Sequence, residues 1–268
     1  MAITRIDKLD DPRLHIYRET RNKSIGLNSG RFLAEGWRVV ERMLNSEFEV
    51  ESVLISERRI ETFGSQFEHR TQVYVLPQSE ASQLVGFNFH SGVMACAFRP
   101  VNASLEDFRK QKSLIVCCPY ITGPDNLGSI IRLAAGFGAS GILLGSKSAD
   151  PFLRRVGRVS MGTIFTMPIR VSENLAEDYQ MLRNSGYQIL AAEKTGNSKP
   201  LTDSQLPENE SPMVVMMGNE AEGLDEENLQ YADEVLHIEM ASGVDSLNVA
   251  NAAAVFLYAL TNRTQRPE

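Results

Sequence analysis

The sequence has few of the residues that build metal centres and disulfide frameworks. Its 268 residues include three cysteines and four histidines, with no Cys-x-x-Cys pair and no His-Glu-x-x-His motif. Cys117 and Cys118 are adjacent within an apolar run, so neither a zinc site nor a disulfide scaffold is expected. We therefore predict a protein that uses no metal and works in a reducing cytoplasm.

Long hydrophobic segments suited to a membrane are also missing. The first 13 residues, MAITRIDKLDDPR, contain no apolar signal core. The apolar run from Ser246 to Asn262 has 17 residues and includes three asparagines. That length is at the lower limit for crossing a bilayer. We predict no membrane segment and interpret this run as a buried helix.

The composition is that of an ordinary soluble domain, with 43% hydrophobic and 23% charged residues. Disordered and collagen-like classes are thereby excluded. The net charge of −7 is unevenly distributed, because residues 1–42 contain nine basic and six acidic side chains. Salt screens charges beyond about 10 Å, so a basic segment can bind phosphate even on an acidic protein. A solvated mixed-charge surface is the alternative, and charge alone leaves the partner open.

The sequence pattern changes near residues 100–112 and predicts two domains. Residues 1–103 form a small α/β unit, with a helix over 31–44 and strands over 50–56, 71–77 and 92–98. Residues 104–111 are predicted as a linker. Residues 112–268 form the second domain.

Strands alternate with helices in the second domain, which indicates an α/β fold with a largely parallel sheet. The run over 113–118 is apolar throughout, as expected of a strand covered on both faces. Further strands are predicted over 141–145, 163–171, 187–193, 212–218 and 234–240. Helices are predicted over 126–138, 151–160, 175–186 and from residue 246 onward.

One glycine pattern requires a choice between two interpretations. Residues 136–141, GFGASG, match the G-x-G-x-x-G fingerprint of dinucleotide-binding domains. That fingerprint needs a strand before the glycines and a helix after them. Here the order is reversed, so we interpret the glycines as the end of a helix and a turn. A nicotinamide-dependent dehydrogenase is therefore disfavoured.

Three other segments place unusual polar residues directly after predicted strands. The first runs from Gly123 to Arg132 and includes Asn126 at the start of a helix. Ligands bind at the carboxyl ends of strands in parallel sheets, which makes this segment a candidate site. A helix cap followed by a surface arginine is the structural alternative.

The second and third segments follow later strands. Residues 217–224 form an acidic turn between two glycines, which permits close backbone approach to a ligand. In the third segment Ser246 suits a helix N-cap, and Asn248 and Asn251 are amides that need partners in an otherwise apolar helix. A plain acidic turn and a capped core helix are the respective alternatives.

Together and in this order, the three segments resemble the signature motifs of the SPOUT superfamily's TrmH-type (SpoU) RNA 2′-O-ribose methyltransferases. The resemblance covers about residues 112–262. Two positions depart from the family pattern: Glu239 replaces a usual proline, and Ala250 replaces a usual small hydroxyl residue. The matching residues are Asn126, Gly128 and Arg132, then Gly218, Asn219, Glu220 and Gly223, then Ser246, Leu247, Asn248 and Val249.

The resemblance implies an S-adenosylmethionine-dependent enzyme with a trefoil-knotted α/β domain that works as a homodimer. Arg132 is the implied catalytic residue, and we expect it to clamp phosphate and stabilise developing charge, because a guanidinium is a poor base. The other implied catalytic residues are Asn126, Glu220, Ser246 and Asn248. The implied cofactor-binding residues are Gly218, Ile238, Leu247, Met240, Asn219, Ala192 and Thr195.

The segment from Phe32 to Gly36 and the helix that follows are similar to the family's small RNA substrate-binding domain, which is related to ribosomal RNA-binding proteins. This favours large-subunit (23S) ribosomal RNA as the substrate, and unpaired RNA, since the ribose must be exposed. A tRNA 2′-O-methyltransferase and a non-catalytic ribosome-assembly factor are the alternatives. The candidate RNA-binding residues are Arg13, Arg21, Lys23, Arg31 and Arg38.

Overall fold

The computed structural model describes residues 3–18, 29–67, 69–109, 114–204, 211–244 and 246–262. Arg21 and Lys23, two predicted RNA-binding residues, lie outside the described residues. The chain forms two compact units. The first contains residues 1–101 and 152–166, and the second contains residues 102–151 and 167–268.

Twelve strands and ten α-helices are found among the described residues. The strands are β1 (Ile3–Arg5), β2 (Arg31–Glu35), β3 (Val50–Ser56), β4 (Gln72–Leu76), β5 (Val93–Phe98), β6 (Leu114–Cys118), β7 (Gly141–Gly145), β8 (Ile169–Ser172), β9 (Gln188–Ala192), β10 (Lys199–Pro200), β11 (Met213–Met217) and β12 (Glu234–His237). The helices are α1 (His15–Arg18), α2 (Trp37–Leu44), α3 (Glu57–Phe67), α4 (Gln78–Val85), α5 (Leu105–Arg109), α6 (Pro124–Gly136), α7 (Arg154–Val159), α8 (Leu175–Asn184), α9 (Glu226–Leu229) and α10 (Val249–Thr261).

The first unit is built on a five-stranded mixed sheet with the order β1-β4-β3-β5-β2. The predicted helix over 31–44 is wrong in its first part, since residues 31–35 pair with β5 as an antiparallel strand. Gly36 ends that strand with a φ of 100°, a conformation that favours glycine, and α2 begins at the next residue.

The division into units differs from the predicted domain boundaries in two places. Residues 152–166, predicted within the second domain, belong to the first unit because their aromatic rings pack there. The Phe152 ring lies 5.1 Å from that of Phe32, and the Phe165 ring lies 5.3 Å from that of Phe48. Most of the predicted linker 104–111 is helix α5, whose buried Phe108 belongs to the core of the second unit.

The second unit contains a seven-stranded sheet with the order β10-β12-β9-β11-β6-β7-β8. Every described pairing in it is parallel, so the predicted α/β class is confirmed. Strands β6, β7 and β11 are buried at every residue, as their unbroken apolar runs predict. Strand β11 inserts between β9 and β6, which places its carboxyl end at the centre of the sheet.

Three local expectations have clear outcomes. The glycines after α6 form a turn, with Gly138 at a φ of 73°, so the rejection of the dinucleotide fingerprint is confirmed. The predicted strand over 163–171 is a 3₁₀ turn at Thr163–Phe165 followed by β8. Asn248, and not Ser246, caps the last helix, because its Oδ1 accepts from the Ala250 N–H at 2.9 Å.

Among the described residues no helix combines the length and hydropathy required to cross a bilayer. Helix α10 has 13 residues, and one of its faces packs in the core through Ala253, Phe256, Leu257 and Leu260.

Candidate active site

The three polar segments meet at the carboxyl edge of the parallel sheet. Strands β6 and β11 are neighbours, so the loops that follow them emerge side by side. The first loop leads into α6 and contains Asn126, and the second contains Glu220. Asn248, at the start of α10, reaches the same point. Sequence positions more than 120 residues apart are therefore brought together.

A chain of hydrogen bonds joins Glu220, Asn126 and Asn248. The Asn126 amide nitrogen donates to Glu220 Oε1 at 2.9 Å, and the Gly123 N–H donates to the same oxygen at 3.1 Å. The Asn248 amide nitrogen donates to Asn126 Oδ1 at 3.0 Å. Each amide is thereby fixed in orientation, and three of the five implied catalytic residues form one polar network.

Glu220 is the charged member of this network. Its partial burial alone would raise its pKa, but hydrogen bonds from Asn126 and from backbone N–H groups outweigh that effect and hold the pKa below its ordinary value of 4.5. The network is therefore intact at neutral pH. It is lost only as the pH falls through the lowered pKa of the folded state.

We expect Asn126→Asp to make methyl transfer strongly pH-dependent. The substitution replaces the donor to Glu220 with a second carboxylate at 2.9 Å, and two such groups do not both ionise readily. The rate should fall about 10- to 100-fold at pH 8, since a charged group loses its hydrogen bond. It should recover in part at pH 6, where protonation of one carboxyl restores a donor.

The pH-rate profile of the purified variant checks this. Asn184→Asp is the control, because Asn184 is exposed at the end of α8 and should give the wild-type profile. If the rate of methyl transfer changed with pH in the same way for Asn126→Asp and wild type, the Asn126–Glu220 hydrogen bond would not support the reaction.

A cavity of about 460 Å³ opens beside the network, at the ends of β9, β11 and β12. Six of the seven predicted cofactor-binding residues line it, together with Glu220 and Ser246. Thr195 does not line it; the Thr195 N–H donates to the Ser198 hydroxyl at 3.0 Å, and that hydroxyl donates to the Thr195 carbonyl at 2.9 Å. The six lining residues are Gly218, Ile238, Leu247, Met240, Asn219 and Ala192.

The loop after β11 is a tight turn held by its own backbone. The Asn219 N–H donates to the Gly223 carbonyl at 2.8 Å, and the Gly223 N–H donates back at 3.1 Å. The Asn219 side chain accepts from the Ala221 N–H at 2.8 Å and donates to the Tyr120 carbonyl at 2.9 Å. Asn219 therefore links this turn to the loop after β6.

Glu193 lies in the stretch between the predicted residues Ala192 and Thr195, and it also lines the cavity. It follows β9, and its Oε2 accepts from the Leu224 N–H at 2.7 Å, which ties the wall of the cavity to the turn after β11. A glutamate at the end of a strand is ordinarily solvated, and its only sequence signal is its position after β9. Lys194, in the same stretch, also lines the cavity, as does Glu222, which was not predicted as a cofactor-binding residue.

Arg132 is not part of the network or of the cavity lining. It is exposed on α6, and no hydrogen bond or ion pair to the described part of the chain is found for it. At the two positions that depart from the family pattern, Glu239 is exposed and accepts from the Thr202 hydroxyl at 3.4 Å, while Ala250 is buried at the start of α10.

The described candidate RNA-binding arginines differ in how they are paired. Arg13 is held by both carboxylate oxygens of Asp11, at 3.0 and 2.7 Å, and its hydrogen bonds lower the Asp11 pKa to about 2. Arg31 is held similarly by Glu51, at 2.8 and 2.9 Å. Arg38 is exposed, and no partner is found for it among the described residues.

No group of three or more histidine, cysteine, aspartate or glutamate side chains suited to a metal ion is found in the described ranges. The three thiols, on Cys96, Cys117 and Cys118, are free and buried. Burial raises the pKa of Cys117 to about 12, so its thiolate is scarce at neutral pH.

A parallel sheet whose central loops carry a polar network beside a cavity is an arrangement suited to binding a small ligand. A model of the SpoU rRNA Methylase family matches residues 113–258. An uncharacterized tRNA/rRNA methyltransferase of Mycobacterium bovis is 30% identical over 257 residues, covering 94% of this chain and 89% of the relative. The chain belongs to the SpoU rRNA methylase family.

Two further relatives extend over nearly the whole chain. The 23S rRNA (guanosine(2553)-2′-O)-methyltransferase RlmP of Bacillus subtilis is 28% identical over 256 residues, covering 95% of this chain and 98% of the relative. The crystal structure of an AdoMet-bound rRNA methyltransferase from Sinorhizobium meliloti has a TM-score of 0.85 at 25% identity, and covers 99% of both chains. The protein is an S-adenosylmethionine-dependent RNA methyltransferase.

The cavity suits S-adenosylmethionine in size, polarity and charge. Its 460 Å³ is within the range of about 300–1,000 Å³ typical of small-molecule sites. Leu236, Ile238 and Leu247 provide apolar surface for an adenine ring, and backbone groups of the turn at Gly218 provide polar contacts. The carboxylates of Glu193 and Glu222 complement a positively charged sulfonium.

Proposed function

We propose that the protein methylates a ribose 2′-hydroxyl in large-subunit ribosomal RNA. The observation that carries this proposal is the Asn126–Glu220–Asn248 network at the mouth of the cofactor cavity. S-adenosylmethionine supplies an electrophilic methyl group on a cationic sulfur. The reaction forms an oxygen–methyl bond, breaks the sulfur–methyl bond and releases the hydroxyl proton.

The chain's own residues hold and orient the reactants. Methyl transfer needs the hydroxyl in line with the breaking bond, and holding that geometry lowers the barrier by several kcal/mol. Gly218, Ile238 and Leu247 are proposed to hold the adenosine, and the fixed amides of Asn126 and Asn248 to orient the ribose. Arg132 is proposed to contact the RNA phosphate and stabilise the developing negative charge.

Ribosomal RNA is favoured over tRNA by two observations. RlmP of Bacillus subtilis, which by name methylates 23S rRNA, matches 95% of this chain. The chain also has a separate first unit, proposed to be the RNA substrate-binding domain. Mapping ribose methylation by mass spectrometry in a deletion strain tests this. We expect one site in 23S rRNA to lose its methyl group, and a loss confined to tRNA would overturn the assignment.

The first unit is proposed to bind the RNA through basic side chains that have no acidic partner. Among the described candidate RNA-binding residues, Arg38 is such a side chain. Removing residues 1–103 is a poor test, because Phe152 and Phe165 would lose their packing partners. We expect Arg38→Ala to weaken binding of 23S rRNA fragments and to reduce the slope of log K against log salt by about 0.7–0.9. Arg13→Ala is the matched control, because Asp11 already neutralises that charge. Equal slopes for wild type and Arg38→Ala would remove Arg38 from the interface.

We propose a homodimer held in part by α10. The outward face of α10 exposes an apolar stripe of Val255 and Tyr258, exposed by 41% and 63%, and Leu247 just before the helix is exposed by 38%. The Tyr258 ring is steadied by an edge contact with Phe137 at 6.5 Å. Such a stripe is unfavourable in water. A monomer in sedimentation at micromolar concentration would contradict the proposal.

We also propose that residues 213–262 form the trefoil knot. The order β12-β9-β11-β6 requires a late strand, β11, to enter between two earlier ones, and this crossing supports a threaded chain. Such threading is rare in proteins.

A further inference from the structure

A second cavity opens at the same edge of the sheet, on the other side of the polar network. Its volume is about 270 Å³, and it lies at the ends of β6, β7 and β8, where Pro119, Gly145 and Ser172 line it. The cofactor cavity lies at the ends of β9, β11 and β12. In the strand order, the loops after β11 and β6 that hold Asn126 and Glu220 follow two adjacent strands between the two groups of strand ends.

The second cavity contains a buried hydroxyl without a partner. Ser172 is 1% exposed, and its Oγ makes no hydrogen bond within the described part of the chain. Buried polar groups are nearly always bonded, so an unsatisfied hydroxyl that lines a cavity indicates a ligand that completes it.

The opposite wall is rigid and partly aromatic. The Tyr179 hydroxyl donates to Asn228 Oδ1 at 2.9 Å, and the Asn228 amide donates to Asp225 at 2.7 Å. The Tyr231 ring lies 5.2 Å from that of Tyr179 and is partly exposed, and the Tyr120 side chain is 39% exposed. Exposed aromatic faces beside fixed amides are the means by which proteins recognise unpaired bases in RNA.

The charges of the second cavity exclude a phosphate as its occupant. Three carboxylates line it, those of Glu173, Asp225 and Glu227, against the single ammonium of Lys147. A neutral, flat and polar group suits that lining. The volume lies just below the range of drug-sized sites, as expected for a single base.

We propose that the second cavity receives the base of the nucleotide whose ribose is methylated, an inference that rests on the proposed function. In-line transfer requires the acceptor oxygen to face the cofactor, so the rest of the nucleotide lies on the side of the network away from it. In the strand order, the second cavity, at the ends of β6, β7 and β8, is on that side. The Ser172 hydroxyl bonds an edge of the base, and the accessible rings of Tyr120 and Tyr231 contact its face.

Ser172→Ala removes the unsatisfied hydroxyl group and keeps the rest of the side chain. We expect kcat/KM for 23S rRNA from the deletion strain to fall up to about 10-fold, the value of one hydrogen bond, with S-adenosylmethionine affinity unchanged. Ser56→Ala is the matched control, because Ser56 Oγ is also buried without a partner but belongs to the first unit. An unchanged kcat/KM for Ser172→Ala would overturn the proposal.

Ala176→Trp fills the same cavity from α8. We expect kcat/KM to fall about 10- to 100-fold, the value of one stacked base. Met181→Trp, also on α8 but outside this cavity, should behave as wild type. Loss of S-adenosylmethionine affinity in Ala176→Trp would place the cavity within the cofactor site and overturn the proposal.

An RNA substrate that lacks the base of the target nucleotide tests whether that base occupies the second cavity. An RNA with an abasic ribonucleotide at the mapped position retains its 2′-hydroxyl and should be a poor substrate for wild type. The abasic change and Ala176→Trp should be non-additive, because both remove the same contact. Full additivity would show that the cavity holds another group. The comparisons of variants with wild type test the role of the second cavity only. The proposed function has a separate test: it would be refuted if the wild-type protein methylated no RNA ribose.

Discussion

Replacing Arg132 with alanine is expected to reduce the single-turnover rate of methyl transfer by 10²-fold or more. That loss corresponds to about 3 kcal/mol, the value of one preorganised charge contact in a transition state. Affinity for S-adenosylmethionine should be unchanged, because Arg132 does not line the cofactor cavity. Arg132 is exposed, and no bond to the described residues is found for it, so folding stability should fall by less than about 1 kcal/mol.

Arg132→Lys should restore little of the rate. A guanidinium forms two parallel hydrogen bonds with a phosphate, which an ammonium does not reproduce. Arg183→Ala is the matched control: Arg183 is an exposed helical arginine of the same unit, paired with Asp233, and its removal should leave the rate unchanged. A normal rate for Arg132→Ala would refute the catalytic assignment, and a loss of cofactor affinity would move Arg132 into the cavity.

The sequence predicted the centre of the second unit better than its periphery. Strands β6, β7 and β11 are short unbroken apolar runs, the pattern expected of strands covered on both faces. The polar residues after two of these strands could be predicted as a site, because parallel strands bring their carboxyl ends to one edge. The actual bonds among Asn126, Glu220 and Asn248 depend on loop geometry, which no spacing reveals.

Features set by distant packing were not predictable in the same way. Strand β2 was predicted as helix because its apolar residues continue the helical spacing of α2, and only pairing with β5 makes it a strand. Strand β1 has three residues, too few for a periodic pattern, and is held by β4. The second cavity is lined by residues from four separate segments between Pro119 and Tyr231, so it has no linear signature.

Replacing Gly218 with alanine is expected to weaken S-adenosylmethionine binding about 100-fold. A Cβ at this position would lie 2.7 Å from the Gly223 carbonyl carbon and 2.9 Å from the Leu224 nitrogen, both backbone atoms. The turn has little freedom to move, because Asn219 and Gly223 exchange two backbone bonds and Glu193 holds the Leu224 N–H. Opening it costs up to about 3 kcal/mol, as overpacking in a tight core does.

Calorimetric titration of Gly218→Ala with S-adenosylmethionine measures this loss, and a thermal melt shows that the variant is folded at the titration temperature. Gly136→Ala is the control, since Gly136 ends α6 in the helical region, with no atom within 4 Å of an added Cβ. That substitution should leave the affinity unchanged. Wild-type affinity in folded Gly218→Ala would mean that the turn after β11 does not hold the cofactor, and the cavity assignment would then rest on Ile238 and Leu247 alone.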